Sequence, residues 1–336
     1  MRLAMLSATS RWIFFVILLL IMQIAAYSPE YKVVFQEQEF MMESIHQVLA
    51  TDLDGNGQSE LIVTGKNYTT QEFFISQLVL SPDFKPVAQW QSPNLFENLS
   101  VLWVSAGKFN SGQPQLLAVT NKNLYFYQAD KEGLTLAKQE LHNFTKILCV
   151  AGGDVNGDGR DELILARIGK VAKKFYDGLV QVWQLNDDMP VLLAESGLLG
   201  NIRSITAGDL DGDGKSEIIV DEGERFAPGN LHIFSLAESK LEELGCAKKA
   251  VGSAVYSMIV AGFPGEVRLV TASSGGKVNF FIWKNNALTP VGAALPFDGE
   301  LVSVAALPFR EEKLPELIVV GYPHIFSILT QNEGMN

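Results

Sequence analysis

The sequence predicts an all-β fold, a six-bladed β-propeller made of four-stranded antiparallel blades. First, a unit of four strands recurs six times with a period of roughly 50 residues, which is the period of propeller blades. Second, the predicted strands are short, rich in β-branched and aromatic residues, and bounded by Gly, Pro, Asn or Asp. Third, no segment has the apolar period of a helix.

The first two strands of each repeat are apolar at nearly every position, which is typical of inner strands packed on both faces by neighbouring blades. The first strands read SIHQVLAT, VLWVSAG, ILCVAGG, IRSITAG, VYSMIVAG and LVSVAAL. The second strands read ELIVTG, QLLAVT, ELILAR, EIIVDE, VRLVTAS and ELIVVG. Two more strands follow in repeats one to five.

The sixth repeat ends after three strands, the last being HIFSILT. One strand is left over at the other end of the chain, in Tyr31–Phe40. We expect this N-terminal strand to join the last blade and close the ring, because closure removes the open sheet edges. Residues 31–330 would then form a single propeller domain.

An acidic loop joins the first two strands of repeats one, three and four. Oxygen-bearing side chains occupy positions 1, 3, 5 and 9 of each loop, glycine occupies position 6, and position 7 can offer its backbone carbonyl. The predicted metal-binding residues are Asp52, Asp54, Asn56, Gln58 and Glu60 in repeat one; Asp154, Asn156, Asp158, Arg160 and Glu162 in repeat three; and Asp209, Asp211, Asp213, Lys215 and Glu217 in repeat four.

Alternating oxygen ligands in a tight turn converge on one point, and hard oxygen donors favour Ca²⁺. An EF-hand would need an acidic residue at position 12 and a following helix, whereas position 12 here is Val63, Leu165 or Val220. The alternative is that these are only acidic hairpin turns. Converging carboxylates would then repel one another with no cation between them, so we predict about three structural Ca²⁺ sites.

These loops resemble the FG-GAP or VCBS repeat of integrin α propellers and of many secreted bacterial proteins. The resemblance covers residues 31–330 and is specific in three repeats. It implies that each loop lies between the first two strands of a blade and binds calcium. Repeats two, five and six depart from the pattern; in repeat two Lys108, Asn110 and Gly112 stand in place of the ligands. We expect no metal in those three.

The N-terminus predicts export. Arg2 and Arg11 form a positively charged segment ahead of an apolar run, Trp12–Ala26, that ends in small residues. This pattern indicates a secretory signal over residues 1–26, with an uncleaved anchor, and hence a membrane tether, as the alternative. The protein is therefore expected outside the cytoplasm, secreted or membrane-anchored. The formal net charge of −12 argues against a nucleic-acid partner.

Two connections on the face opposite the acidic loops are candidate partner sites, because they combine charges with aromatic residues. They are Arg167–Gly178 and Asp221–Asn230, with Gly65–Phe73 as a third long connection; solvated loops are the alternative. The candidate partner-binding residues are Tyr68, Lys170, Lys173, Lys174, Phe175, Tyr176, Glu222, Glu224, Arg225 and Phe226.

We predict a non-catalytic protein-binding or scaffold module. The alternatives are a lectin-like, carbohydrate-binding propeller and, third, a glycan-active enzyme using acid pairs such as Asp187–Asp188 or Glu222 with Glu224. No catalytic residue is assigned, since the sequence holds no nucleophile motif and its histidines fall in different blades. Cys149 on an inner strand and Cys246 on an outer strand of the next blade are predicted to be free, buried thiols.

Overall fold

The computed structural model is a closed ring of β-sheets. It describes residues 31–37, 44–67, 70–80, 86–92, 102–110, 112–130, 132–142, 144–171, 176–186, 189–223, 227–307, 313–322 and 325–331. Within these ranges the strands form six antiparallel sheets, one per predicted repeat. The predicted six-bladed β-propeller is therefore confirmed.

The strands follow the repeats in chain order. The N-terminal strand is β1 (Tyr31–Glu37). Blade 1 has β2 (Ser44–Thr51), β3 (Glu60–Lys66), β4 (Phe73–Leu80) and β5 (Pro86–Gln91). Blade 2 has β6 (Leu102–Gly107), β7 (Gln115–Thr120), β8 (Asn123–Asp130) and β9 (Gly133–Leu141). Blade 3 has β10 (Ile147–Gly153), β11 (Glu162–Val171), β12 (Tyr176–Gln184) and β13 (Val191–Glu195).

Blades 4 to 6 continue the series. Blade 4 has β14 (Ile202–Gly208), β15 (Glu217–Glu222), β16 (Asn230–Ala237) and β17 (Lys240–Lys248). Blade 5 has β18 (Val255–Phe263), β19 (Glu266–Ser273), β20 (Lys277–Lys284), β21 (Ala287–Pro290) and β22 (Leu295–Pro296). Blade 6 has β23 (Glu300–Ala306), β24 (Leu317–Tyr322) and β25 (Ile325–Gln331).

The N-terminal strand closes the ring, as the leftover strand predicts. In blade 6 the strand order is β1-β25-β24-β23, so β1 occupies the outer position that the fourth strand fills elsewhere. Its pairing with β25 is antiparallel and runs from Tyr31 opposite Gln331 to Glu37 opposite Phe326. The two ends of the described chain are thus held in one sheet.

The core lies between blades rather than inside a single layer. In β3, Leu61 and Val63 pack in a cluster with side chains of blade 6, while Ile62 packs in a cluster with side chains of blade 2. Because neighbouring strand residues point to opposite faces, an inner strand between two blades buries side chains on both faces and is apolar at most positions. The described residues form a cluster of this kind at each of the six blade boundaries.

Two strand predictions need correction. The fourth strand of repeat five is broken: β21 ends at Pro290, which has no N–H to donate, and β22 then pairs with the start of β20 through Leu295 opposite Val278. The segment Arg167–Gly178 is not wholly a connection, because β11 and β12 stay paired as far as Val171 opposite Tyr176.

A membrane-spanning helix, which needs both length and an apolar sequence, is not found among the described residues.

Candidate metal centres

The three acidic loops occupy equivalent places in blades 1, 3 and 4. Each joins the innermost strand to the second strand of its blade and is closed by an equivalent cross-strand pair. These closing pairs are Thr51–Glu60, Gly153–Glu162 and Gly208–Glu217. The loops therefore lie on one face of the ring, as predicted.

The aspartate at position 1 shapes each turn. In blade 3, one carboxylate oxygen of Asp154 accepts hydrogen bonds from the N–H groups of Gly157 at 2.7 Å and Asp158 at 3.0 Å, and the other accepts from Gly159 at 2.8 Å. In blade 4, Asp209 accepts from Gly212 and Gly214 in the same way. The backbone thus winds around this carboxylate and turns the following side chains inward.

Glycine is required at position 6 by backbone geometry. Gly57, Gly159 and Gly214 have φ angles of 83°, 85° and 89°, a region that residues with a Cβ rarely adopt. The N–H of position 7 next donates to the side-chain oxygen of position 5: Lys215 donates to Asp213 at 2.7 Å. The pattern that the sequence predicts as a ligand array is therefore also a specific turn.

The glutamate at position 9 begins the second strand and reaches back under the loop. One oxygen of Glu217 accepts the N–H of Leu210 at 2.8 Å, and Glu162 and Glu60 bond Val155 and Leu53 similarly. Glu162 and Glu217 are buried. The position-9 carboxylate therefore closes the loop by binding the backbone N–H of position 2.

Carboxylate oxygens converge in blades 1 and 4. One oxygen each of Asp52, Asp54 and Glu60 lies within 4.8 Å of the others, and the same holds for a second group. That second group is Asp209, Asp211 and Glu217. Donor sets made only of oxygen fit a hard divalent cation such as Ca²⁺.

The loop of blade 3 differs because position 3 is an asparagine. The amide nitrogen of Asn156 donates to Glu162 at 2.7 Å and to Asp158 at 3.2 Å. Among the described residues, the blade 3 carboxylates do not form a group like those of blades 1 and 4. The Asn156 amide therefore bonds the position-9 glutamate in blade 3, whereas in blade 1 the Asn56 amide bonds Asp54, and the position-3 and position-9 carboxylates face each other with no amide between them in blades 1 and 4.

Burial and mutual repulsion disfavour charge on the position-9 glutamates. Burial raises the pKa of Glu217 to about 7; the Leu210 N–H opposes this, and the nearby Asp211, Asp213 and Asp209 add to it. Burial likewise raises the pKa of Glu162 to about 7 and also raises the pKa of Glu60. A bound cation would offset the negative charges of these carboxylates and so favour their ionised form.

Neighbouring loops are linked by position 8, which the sequence pattern left without a role. The N–H of Ser216 in blade 4 donates to the carbonyl of Asp154 in blade 3 at 2.8 Å. Asp161 in blade 3 makes two hydrogen bonds with the backbone of Lys108 in blade 2. The Asp161 carboxylate accepts the Lys108 N–H at 2.5 Å, and the Asp161 N–H donates to the Lys108 carbonyl at 3.1 Å. Hydrogen bonds thus connect the loops of blades 2, 3 and 4 along this face of the ring.

The candidate partner-binding residues are only partly described. Lys170 is exposed and Tyr176 is half-buried, both on the paired β11–β12 hairpin. Glu222 is half-buried in β15 and bonded to His232 at 2.9 Å, so it is not the free loop charge that the sequence predicts. The other candidates, and the signal segment 1–26, lie outside the described residues. These candidates are Tyr68, Lys173, Lys174, Phe175, Glu224, Arg225 and Phe226.

Asp221, at the start of the second candidate connection, is a core residue. It is fully buried in β15 and paired with Arg203 of β14, whose Nη2 lies 2.5 Å from its Oδ2. Burial raises the pKa of Asp221 to about 6, although Arg203 acts in the opposite direction. The part of Asp221–Asn230 that can form a surface therefore begins after this residue.

Sequence reasoning missed two features. Four exposed apolar side chains lie on or beside the outer strand of blade 3, within residues 189–198, and we call them the blade 3 rim: Met189, Val191, Leu192 and Leu198, with exposures of 70%, 45%, 42% and 55%. The second is a side-chain group on blade 4 made by His232, Glu243 and Cys246. Cys246 is free but exposed, so the prediction of a buried thiol is correct for Cys149 and wrong for Cys246.

Comparisons with known proteins agree with this architecture. No family model matches the chain, and no curated protein matches it. Solved structures do: the WD40 repeats of RRP9 align with a TM-score of 0.52 and 12% identity over 91% of this chain and 98% of that chain. BBS1N, solved in complex with ARL6DN, aligns with a TM-score of 0.54 and 13% identity over 92% of this chain and 99% of that chain. At such identities the similarity shows the β-propeller fold alone.

Proposed function

We propose that this protein is an exported, calcium-stabilised β-propeller that acts as a non-catalytic binding or scaffold module for another protein. The observation that carries the calcium part is the repeated convergence of carboxylates. Asp52, Asp54 and Glu60 in blade 1 and their counterparts in blade 4 bring three oxygens within 4.8 Å at the same place in the repeat. Two independent copies of one donor set support a cation site over a chance cluster of turn residues.

The calcium would act by stabilising each acidic turn and, through the hydrogen bonds between turns, the contact between neighbouring blades. In blade 4 the candidate ligands run from Asp209, just after the end of β14, to Glu217, at the start of β15. An ion bound by them would connect the ends of the two innermost strands. Ser216 then bonds the blade 3 loop. An ion that binds only the folded loop raises stability by mass action, by about 2.7 kcal/mol when its concentration is 100 times its dissociation constant.

Export is supported by the N-terminal sequence. Trp12–Ala26 is about 15 residues long, shorter than the roughly 20 that a spanning helix prefers, and ends in small residues. Extracellular calcium modules work with dissociation constants of about 10⁻⁴–10⁻³ M. A calcium site of an exported protein would work in that range.

Protein binding is supported by the blade 3 rim. Scattered exposed apolar residues are ordinary, whereas four within residues 189–198, on or beside one outer strand, favour an interaction surface. The rim includes the outer strand β13, which has β12 on one side and no strand paired on the other among the described residues. A structural neighbour of the same fold, BBS1N, is itself found in complex with another protein.

Thermal unfolding tests the calcium part. Protein stripped of metal should melt at a higher temperature when Ca²⁺ is added, and the Asp209→Ala variant should gain less. Mg²⁺ at the same concentration is the matched control and should give a smaller shift. Equal melting temperatures with Ca²⁺ and with chelator, for protein shown to be metal-free beforehand, would contradict it.

Capture from the extracytoplasmic fraction tests the binding part. The wild-type protein should retain a specific protein that the Leu192→Glu variant loses. Leu141→Glu is the matched control, since Leu141 is 84% exposed and belongs to blade 2 rather than to the blade 3 rim. Capture unchanged by Leu192→Glu would contradict the rim as a binding surface, and selective retention on a glycan array would favour the lectin-like alternative.

A further inference from the structure

We propose that blade 4 holds a zinc-class metal site formed by His232, Glu243 and Cys246. One ligand atom from each of these residues lies within 4.8 Å of the other two. This site is separate from the calcium loops in position and in chemistry. It rests on none of the arguments for the proposed function.

The donor set identifies the class of metal. Imidazole nitrogen, thiolate sulfur and carboxylate oxygen are the three ligand types of Zn²⁺ in proteins, whereas Ca²⁺ and Mg²⁺ take oxygen ligands. Zn²⁺ bonds are about 2.0–2.3 Å long. Donors already within 4.8 Å of one another need only small side-chain rotations to share one ion.

Strand register places the three side chains on one face of the blade. His232 of β16 stands directly opposite Cys246 of β17. A bulge between Ile233 and Phe234 shifts the register, so that Phe234 faces Glu243 and the carboxylate lies on the same face as His232. Without the bulge, strict alternation would turn Glu243 to the opposite face.

The histidine is oriented as a metal ligand would be. Its Nε2 lies 2.9 Å from a carboxylate oxygen of Glu222, and its Nδ1 lies 2.8 Å from Glu243. Metal-binding histidines usually donate their second N–H to a carboxylate, which fixes the ring and the tautomer. Glu222 has this positioning role, and leaves Nδ1 to face the metal.

Glu222 is itself held in place. Its two oxygens accept from the N–H of Gly200 at 2.7 Å and from the side-chain amide of Asn230 at 3.1 Å. The imidazole of His232 is also stacked on Phe234, with centroids 6.1 Å apart. The histidine therefore has little freedom to turn away from the site.

The other blades provide an internal comparison, because the same bulge recurs in blades 1 to 3. In blade 3 the residues equivalent to His232, Cys246 and Glu243 are Gln181, Glu195 and Leu192. Blade 2 has Tyr125, Gln139 and Leu136, and blade 1 has Ser76, Gln91 and Ala88, at the same positions. The bulge belongs to the repeat, whereas the nitrogen–sulfur–oxygen set occurs in blade 4 alone among these four.

Binding exchanges protons for the metal. Cys246 binds Zn²⁺ as a thiolate, so its thiol proton leaves to solvent as the Zn–S bond forms, and His232 binds through an Nδ1 that carries no proton. Three protein ligands leave a fourth tetrahedral position for water or an external ligand. The side chain of Glu243 is 44% exposed, so the site is open to solvent.

Titration of the full-length metal-free protein with Zn²⁺, in excess Ca²⁺ to fill the acidic loops, tests the proposal. We expect one Zn²⁺ per chain. Replacing it with Co²⁺ should produce a thiolate-to-metal charge-transfer band that disappears in Cys246→Ser. Cys149→Ala is the matched control, since Cys149 is the other cysteine of the chain and is buried, and it should keep the band.

Two further variants separate ligand from positioning roles. His232→Gln should abolish tight binding while keeping the fold, because blade 3 carries glutamine at this position. Glu222→Gln should weaken binding by about 10- to 100-fold and keep the Co²⁺ band. The proposal is overturned if the folded wild type binds no Zn²⁺, if Cys246→Ser binds it as the wild type does, or if Cys149→Ala also loses the band.

Discussion

Tyr31 and Phe280 stack in parallel across the boundary between blades 6 and 5, with ring centroids 5.9 Å apart and planes 5° apart. Tyr31 begins β1, the strand that closes the ring. Its hydroxyl also donates to the carbonyl of Pro315 at 3.1 Å, and its side chain is fully buried. One residue near the N-terminus thus ties the closing strand both to its own blade and to the next.

Truncating this side chain should destabilise the ring. Tyr31→Ala removes a large buried aromatic group, so we expect a loss of about 3–5 kcal/mol in the free energy of unfolding. Tyr31→Phe keeps the ring and removes the hydroxyl with its hydrogen bond to Pro315, so it should cost about 0.5–1.5 kcal/mol. Urea unfolding measures both. Lys32→Ala, at the exposed neighbouring position, is the control, and a Tyr31→Ala variant as stable as this control would contradict the closure role.

Ring closure could be predicted from sequence because it follows from counting strands. HIFSILT ends the sixth repeat one strand short, and Tyr31–Phe40 supplies the missing one. The inner strands were equally readable, since side chains such as Leu61 and Ile62 serve two different blade boundaries and must both be apolar. The break in the outer strand of blade 5 could not be predicted from the sequence. Pro290 ends β21, and only the fold shows that the next residues pair with the start of β20.

The candidate sites divide in the same way. The acidic loops are local, so their residues and spacing are visible along the chain. The group of His232, Glu243 and Cys246 is not local, because it depends on the register of β16 with β17 and on one bulge. No spacing in sequence distinguishes Cys246 from a residue on the opposite face of the same strand.

Acidification should destabilise the protein through His142. Its Nδ1 accepts the N–H of Phe144 at 2.8 Å while its Nε2 bonds the carbonyl of Thr120 at 3.0 Å, an arrangement that only the neutral imidazole satisfies. Burial lowers the pKa of His142 from its ordinary 6.5, although its hydrogen bonds to the backbone act in the opposite direction.

The sign follows from proton linkage. Below pH 6.5 the unfolded chain binds a proton at His142 that the folded chain resists, so this stability is present above pH 6.5 and is lost as the pH falls toward the lowered folded pKa. Unfolding free energies of the wild type and of His142→Gln, measured between pH 8 and 5, should therefore converge on acidification. Parallel profiles would show that His142 does not carry this dependence.

Gly214 should be intolerant of a side chain for conformational reasons alone. Its φ is 89°, and a Cβ at this position would meet no atom within 4 Å. Gly214→Ala should therefore cost about 1–2 kcal/mol, the price of a left-handed backbone, with no contribution from a clash. Gly252→Ala is the matched control, because Gly252 has equal space and no positive φ, and its stability should not fall. Equal effects of the two substitutions would contradict the backbone argument.

Exchanging one residue between loops should exchange their calcium affinities. Blade 3 has Asn156 at position 3, where its amide nitrogen donates to Glu162 at 2.7 Å, whereas blade 4 has Asp211 in a carboxylate group. Asn156→Asp removes that donor and adds a carboxylate, so it should destabilise the metal-free protein and strengthen calcium binding at blade 3. Asp211→Asn should do the reverse at blade 4.

Calorimetric titration with Ca²⁺, paired with melting curves in chelator, measures both effects. The opposite signs matter, because a variant that merely damages the fold would lower the melting temperature without raising affinity. The double variant Asn156→Asp/Asp211→Asn keeps the total charge of the loops and serves as the control. If Asn156→Asp neither lowers the metal-free melting temperature nor raises the affinity for Ca²⁺, the side chain at position 3 does not face the cation.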